Sequence, residues 1–274
     1  MAALAELVAN RLRREVFGSL VCGLGAGLVF LVLIAPSPED AWRMVGGFVL
    51  MFLPGAAWVW RHLPAHAPHD RWGWANRITA TRGLALLLWG AWGWQLSPVG
   101  WGSVILATVF LLADGVDGKL ARRQGTVSPF GARFDLEVDA LFVLIAGILL
   151  LRAEQLGPWV LITGLLRYGY LLAGRWWPVL NRPLPPSRRR AVCGVTNAAL
   201  LTAGFAPILP LWLVQGLAAL GLALVVGSFT VDARTQWVRL TFRGLAFDSA
   251  NKSVHDPDSG ASAPSQNTAT VQRL

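Results

Sequence analysis

The apolar positions of this chain neither alternate nor keep to one helical face; they run on without interruption. Residues 44–60, 83–113 and 191–231 contain no Asp, Glu, Lys or Arg, and 16–42 holds its only charges at Glu39 and Asp40. A stretch that is apolar all round has no polar face to offer water, so it predicts helices that cross a bilayer. One crossing takes ~20 residues. The run 191–231 is long enough for two, and Pro207 and Pro210 near its middle mark the turn between them. The same reasoning divides 83–113 at Pro98 and Gly100, with one helix starting near Trp74 and the next running past Asp114. The pattern predicts eight spans, over 17–35, 44–60, 75–96, 102–122, 132–151, 157–175, 191–208 and 212–230.

Composition agrees with that reading: 54% of residues are hydrophobic, 14% are charged, and mean hydropathy is +0.51. Such a chain carries more apolar surface than a soluble core consumes. Charge then orients it. With the amino terminus inside, all of the 24 Lys and Arg fall in cytoplasmic loops or the adjoining span ends except Arg167, within a span, and Arg43 and Arg152, outside. The net charge of +9 therefore reflects positive-inside sorting and attraction to anionic lipid, and no nucleic-acid recognition motif accompanies it. Cys22 and Cys193 lie in apolar runs as small packing residues. Leu4, Leu7, Val8 and Leu12 recur at helical spacing, so 1–14 is expected to lie as a short amphipathic helix on the membrane surface. The apolar stretch after Arg11, Arg13 and Arg14 lacks a convincing cleavage site and is expected to remain as a first span. Residues 247–274, rich in Ser, Asp, Ala and Thr, are expected to form a disordered cytoplasmic tail.

Candidate chemistry is confined to one segment, Asp114-Gly-Val-Asp117-Gly118-Lys-Leu-Ala121-Arg122, then eight residues, then Gly131-Ala-Arg-Phe-Asp135-Leu-Glu-Val-Asp139. Asp114 and Asp117 share one helix face; Asp135 and Asp139 share another. A short basic loop near Gly125 and Thr126 joins the two helices, so Asp114 pairs in depth with Asp139 and Asp117 with Asp135. At 1.5 Å of rise per residue the four carboxylates occupy a layer about 6 Å thick, one to two turns below the cytoplasmic surface. Four negative charges there repel unless cations lie between them. Oxygen ligands without Cys or His suit a hard divalent ion, Mg2+ or Mn2+, and four carboxylates can bridge two ions.

These 26 positions resemble the signature of the CDP-alcohol phosphotransferase (CDP-alcohol phosphatidyltransferase) family, D-x2-D-G-x2-A-R-x8-G-x3-D-x3-D, at every fixed residue. Asn76, Thr79 and Arg82 look like the polar start of that family's first core helix. The resemblance implies an all-α integral membrane protein with a six-helix core, here 72–245, and a usually dimeric assembly. Residues 1–71 then form a two-helix amino-terminal extension of unassigned role, and 246–274 the tail. It also implies that Asp114, Asp117, Asp135 and Asp139 bind metal, that Asp139 is the general base, and that Asn76, Thr79, Gly118, Ala121, Arg122 and Gly131 serve the donor. Gly118 and Ala121 would leave room for cytidine, Arg122 would hold phosphate, and Gly131 would permit close helix approach. The implied reaction passes a phosphoalcohol, by default phosphatidyl from CDP-diacylglycerol, to an alcohol acceptor with release of CMP, at a bacterial inner membrane and from the cytoplasmic side.

Other polar residues carry weaker signals. Arg167, deep in an apolar span beside Tyr168, is either a substrate contact or a structural ion pair. Arg188, Arg189, Arg190 and Arg234 are cytoplasmic anchors that stand where an acceptor phosphate can dock. His62, His66, His69 and Asp70 imitate a metal cluster, but Pro64 and Pro68 break any helical presentation. Two other classes use similar carboxylates, a membrane prenyltransferase with a diphosphate donor and a divalent-cation transporter. The tight aspartate spacing disfavours the first, and placement near one membrane face disfavours the second.

Overall fold

The computed structural model describes the backbone of residues 2–63, 72–95, 97–124, 128–177 and 187–254, and the side chains of these except 2–9, 115–124 and 238–254. Among the described residues there are eight α-helices and no strand: α1 (Ala2–Ile34), α2 (Pro38–His62), α3 (Trp74–Gln95), α4 (Trp101–Gln124), α5 (Pro129–Arg152), α6 (Leu161–Trp176), α7 (Arg188–Ala203) and α8 (Leu211–Val254). Asn10–Ile34, Pro38–His62 and Leu211–Trp237 are long and apolar enough to cross a membrane by length and composition.

Local chemistry sets the helix starts. Ser37 caps α2 by accepting the Asp40 amide at 3.1 Å, with Pro38 in the first turn, and Ser128 caps α5 by accepting the Gly131 amide at 3.0 Å, with Pro129 behind it. A serine cap followed by proline satisfies an orphan donor and presets the first helical φ. The expected breaks at Pro98–Gly100 and Pro207–Pro210 separate α3 from α4 and α7 from α8.

Two elements differ from expectation. The amphipathic segment 1–14 is not a separate surface helix: it continues into the first apolar run as α1, because no proline interrupts the chain before Pro36. Helix α8 runs 44 residues, well past 230 and into the expected tail, because no proline occurs between Pro210 and Pro257. At 1.5 Å per residue it is about 66 Å long, roughly twice a hydrocarbon core.

The core lies around α3 and α5. A close approach of α5 to α6 depends on Gly164, where a Cβ would stand 2.7 Å from the Leu144 Cα. An aromatic column fills the centre: Phe110 stacks on Phe142 at 4.6 Å, Phe142 on Trp89 at 6.0 Å, and Phe205 meets Trp89 edge-on at 5.1 Å. The amino-terminal pair α1 and α2 packs on this core. Trp58 of α2 lies 6.2 Å from both Phe130 and Phe134 at the start of α5, and Trp72 covers the same two rings at 5.7 and 6.1 Å. Glu15 of α1 accepts the Trp72 amide at 3.2 Å and pairs with Arg77 at 3.6 Å. The extension thus packs on the starts of α3 and α5, from which the chain runs to Arg82 and to Asp135.

Candidate active site

Helices α3, α4 and α5 bring Asp114, Asp135 and Asp139 together, with one carboxylate oxygen from each lying within 4.8 Å of the others. The spacing of the segment produces this. Asp135 and Asp139 are one turn apart on α5, and Asp114 of α4 meets them there. Asp117, Gly118, Ala121 and Arg122 belong to helix α4, but their side chains lie outside the described residues.

Arg82, only 5% exposed, reaches all three carboxylates: Nη1 lies 2.9 Å from Asp135 and 3.2 Å from Asp114, and Nη2 lies 3.0 Å from Asp139. Its guanidinium sits 4.5 Å over the Phe110 ring, so the aromatic column forms the floor of the site. The aspartates themselves remain 32–39% exposed. Three carboxylates around one guanidinium leave two negative charges within this described cluster. Like charges ~4 Å apart repel by roughly 4 kcal/mol at an effective dielectric of ~20. The donor set is therefore suited to a divalent cation: hard oxygens, converging, partly exposed, and in excess of the Arg82 charge among the described residues.

The donor-side residues on α3 are also placed. Asn76 Nδ2 donates to the Trp72 carbonyl at 2.8 Å, and its Oδ1 faces Gly131, where a Cβ would come within 2.7 Å. Gly131 thus permits the start of α5 to approach α3. Thr79 is buried and its hydroxyl donates to the Ala75 carbonyl at 3.1 Å.

Residues 72–231 match the CDP-alcohol phosphatidyltransferase family. This chain belongs to that family. The match spans the whole site, from Trp72 through the aspartates to α8, and makes the protein a transferase of that type rather than a prenyltransferase or a cation transporter. A CDP-diacylglycerol–glycerol-3-phosphate 3-phosphatidyltransferase from Pseudomonas fluorescens is 28% identical over an alignment of 163 residues that covers 55% of this chain and 82% of that protein. No solved structure matches the chain.

The remaining sequence candidates are not brought to the aspartates by any contact described. Arg167 pairs with Glu137, Nη2 to Oε1 at 2.6 Å and Nε to Oε2 at 3.5 Å, which favours the ion-pair alternative. Arg189 and Arg190 both pair with Asp232 of α8, while Arg188 and Arg234 are exposed. His62 stacks on Trp58 at 4.5 Å and shares a hydrogen bond with the Trp58 carbonyl; His66, His69 and Asp70 lie outside the described residues. Sequence reasoning gave no role to Glu15, Glu137 or Asp232, and none to Arg82 beyond the resemblance. For Arg82 a signal existed: an arginine two turns into an apolar helix needs a carboxylate partner.

Proposed function

We propose that the protein transfers a phosphatidyl group from CDP-diacylglycerol to an alcohol acceptor, releasing CMP, as a step of phospholipid biosynthesis. The observation that carries this reading is the convergence of Asp114, Asp135 and Asp139 within a family match that covers them. Asp114, Asp117, Asp135 and Asp139 hold the metal, Mg2+ or Mn2+, as two ions. Metal bound there supplies charge neutralisation and Lewis acidity to the donor diphosphate.

The chain's own residues do the rest. Asn76, Thr79, Gly118, Ala121, Arg122 and Gly131 seat the cytidine diphosphate, and Arg188, Arg189 and Arg234 attract an acceptor phosphate. Arg167 is left to its pair with Glu137. Asp139 takes the proton of the acceptor hydroxyl as its oxygen bonds to the phosphorus carrying diacylglycerol, and the bond from that phosphorus to the CMP oxygen breaks. Arg82 aims the Asp139 carboxylate through the hydrogen bond from Nη2 to Oδ1. The relative from Pseudomonas fluorescens supports CDP-diacylglycerol as donor and a phosphorylated glycerol as acceptor.

The architecture we infer is a six-helix core over 72–245, with α1 and α2 (within 1–71) as two further spans, giving eight crossings, and a tail at 246–274. The core works as a homodimer in the bacterial inner membrane with its aspartates facing the cytoplasm; the distribution of basic residues supports that orientation. The direct test incubates purified protein with CDP-diacylglycerol, Mg2+ or Mn2+, and glycerol 3-phosphate, inositol 1-phosphate or serine, and identifies product by mass. Metal-dependent CMP release with one matching phospholipid is expected. Absence of CMP with every acceptor and metal contradicts the assignment.

A further inference from the structure

The amino-terminal extension and the family-matched region meet at a directional polar contact. Leu12 and Val16 of α1 are 4% and 0% exposed, so the face of α1 that carries them packs against the bundle, and Glu15 lies on that face. The Glu15 carboxylate, 24% exposed, accepts the backbone N–H of Trp72 on Oε2 at 3.2 Å. Trp72 is the first residue of the family match, and Glu15 lies outside it. Arg11 and Arg77 also approach the carboxylate, each at 3.6 Å, but both arginines are exposed, and exposed pairs of that kind contribute little.

The amide held by Glu15 stands at the turn that starts α3. Gly73 has φ +73°, a left-handed conformation that residues with a side chain rarely take, and its carbonyl accepts the Arg77 amide at 3.2 Å to open the helix. Trp72 precedes the helix, so no carbonyl within α3 can accept its N–H, and a carboxylate also suits the positive end of the helix dipole. Trp72, 2% exposed, is thus fixed on two sides: Glu15 takes its N–H, and its carbonyl accepts Asn76 Nδ2 at 2.8 Å. With Nδ2 committed to Trp72, Oδ1 of Asn76 is directed to Gly131 at the start of α5. A relay therefore runs from Glu15 through Trp72 to Asn76, and ends where α3 and α5 meet.

We propose that Glu15 is a positioning residue for donor binding: it reaches from the extension to Trp72 and holds Asn76 in the orientation that receives the CDP-linked donor. The inference rests on the donor role given to Asn76 in the transferase reading above, and it adds a residue outside the family match together with a task for the extension. Glu15 does not touch the donor. It acts through Trp72 and Asn76, by ordering the start of α3 before the donor arrives. Arg82, further along α3, is held by its three carboxylates, so the metal site does not depend on Glu15.

The test uses full-length protein and equilibrium binding of radiolabelled CDP-diacylglycerol, with Mg2+ and without acceptor, a readout independent of turnover. Glu15→Ala should raise the donor Kd about tenfold, the scale of one hydrogen bond to a charged group. Glu15→Gln, which keeps the reach and an acceptor oxygen, should raise it about threefold, because a neutral bond is roughly half as strong. In turnover the donor KM should rise in the same proportions, while kcat, the acceptor KM and the Mg2+ concentration for half-maximal activity stay at wild-type values. In an Asn76→Ala background, Glu15→Ala should add less than about twofold, as expected for residues on one relay. A donor Kd unchanged in either single variant, a full tenfold effect retained beside Asn76→Ala, or equal losses of donor, acceptor and Mg2+ affinity overturns the proposal. Glu15→Gln keeps the test decisive if Glu15→Ala does not fold. Wild type that binds the donor yet releases no CMP with any acceptor contradicts the transferase reading instead, and leaves the binding comparison to judge Glu15.

Discussion

Arg82 Nη2 donates to Asp139 Oδ1 at 3.0 Å, joining the first helix of the family-matched region to the last aspartate of its signature. The same guanidinium also serves Asp135 and Asp114, so one buried cation ties the three described aspartates together. Removing one partner of a buried charge cluster commonly costs about 3–5 kcal/mol, because the remaining charges lose their compensation. Arg82→Gln should therefore lower the melting temperature of metal-free protein. It should also enlarge the stabilisation that Mg2+ gives, since the site is then more negative. Thermal melts with and without Mg2+ read both effects; equal Mg2+ shifts in variant and wild type would show that Arg82 does not share its charge with the metal site.

Gly131 and Asn76 make a second test. A Cβ at 131 would stand 2.7 Å from Asn76 Oδ1, so Gly131→Ala should push α5 away from α3 and cost about 1–3 kcal/mol through overpacking. Asn76→Ala removes the obstructing oxygen. The double variant should then be more stable than the sum of the single losses implies, as expected for residues in contact. Strict additivity in denaturation would mean that the two do not meet.

Much of this was legible in the sequence. The charge-free runs located the helices, and the aspartate spacings placed four carboxylates in a layer about 6 Å thick; oxygens of Asp114, Asp135 and Asp139 lie within 4.8 Å of one another, while the Asp117 side chain is outside the described residues. Those inferences worked because helical periodicity and membrane thickness fix depth and face within one hairpin. Pairings between distant helices follow from neither. Arg82 with Asp139, Asp232 with Arg189, and Glu15 with Trp72 depend on which helices pack side by side, and a single sequence carries no periodicity that names a neighbour. The length of α8 escaped for a different reason. Its last residues, 246–254, read as tail by composition, yet α8 contains no proline to stop a helix already started.

The amino-terminal pair of helices is predicted to matter for the site through its aromatic contact. Trp58 packs against Phe130 and Phe134, and Phe134 immediately precedes Asp135. Trp58→Ala should cost roughly 2–3 kcal/mol, less than a fully buried aromatic truncation because Trp58 is only partly buried. It should also raise the Mg2+ concentration for half-maximal activity by loosening the start of α5. Loss of stability with an unchanged Mg2+ requirement would confine the extension to a structural role.

Orientation is checked by labelling. Single cysteines at Gln124, at the end of α4, and at Glu39, at the start of α2, lie at opposite membrane faces in the proposed arrangement. Glu39→Cys sacrifices an exposed pair with Arg43 that contributes ~1 kcal/mol or less. In inverted vesicles an impermeant thiol reagent should modify position 124 and spare 39, and in intact cells the reverse. The opposite pattern would turn the molecule over.

Asp139 carries the central claim, that a carboxylate of the cluster both belongs to the metal site and takes the acceptor proton. The decisive measurement is the single-turnover rate of CMP release from CDP-diacylglycerol, at saturating acceptor and metal, in wild type and Asp139→Asn. The amide keeps an oxygen for metal and a similar size but cannot accept the proton. The chemical step should fall by ~10²- to 10⁴-fold, the range for a lost general base, while donor and metal saturation shift only modestly. A chemical rate equal to that of wild type in Asp139→Asn would contradict the account.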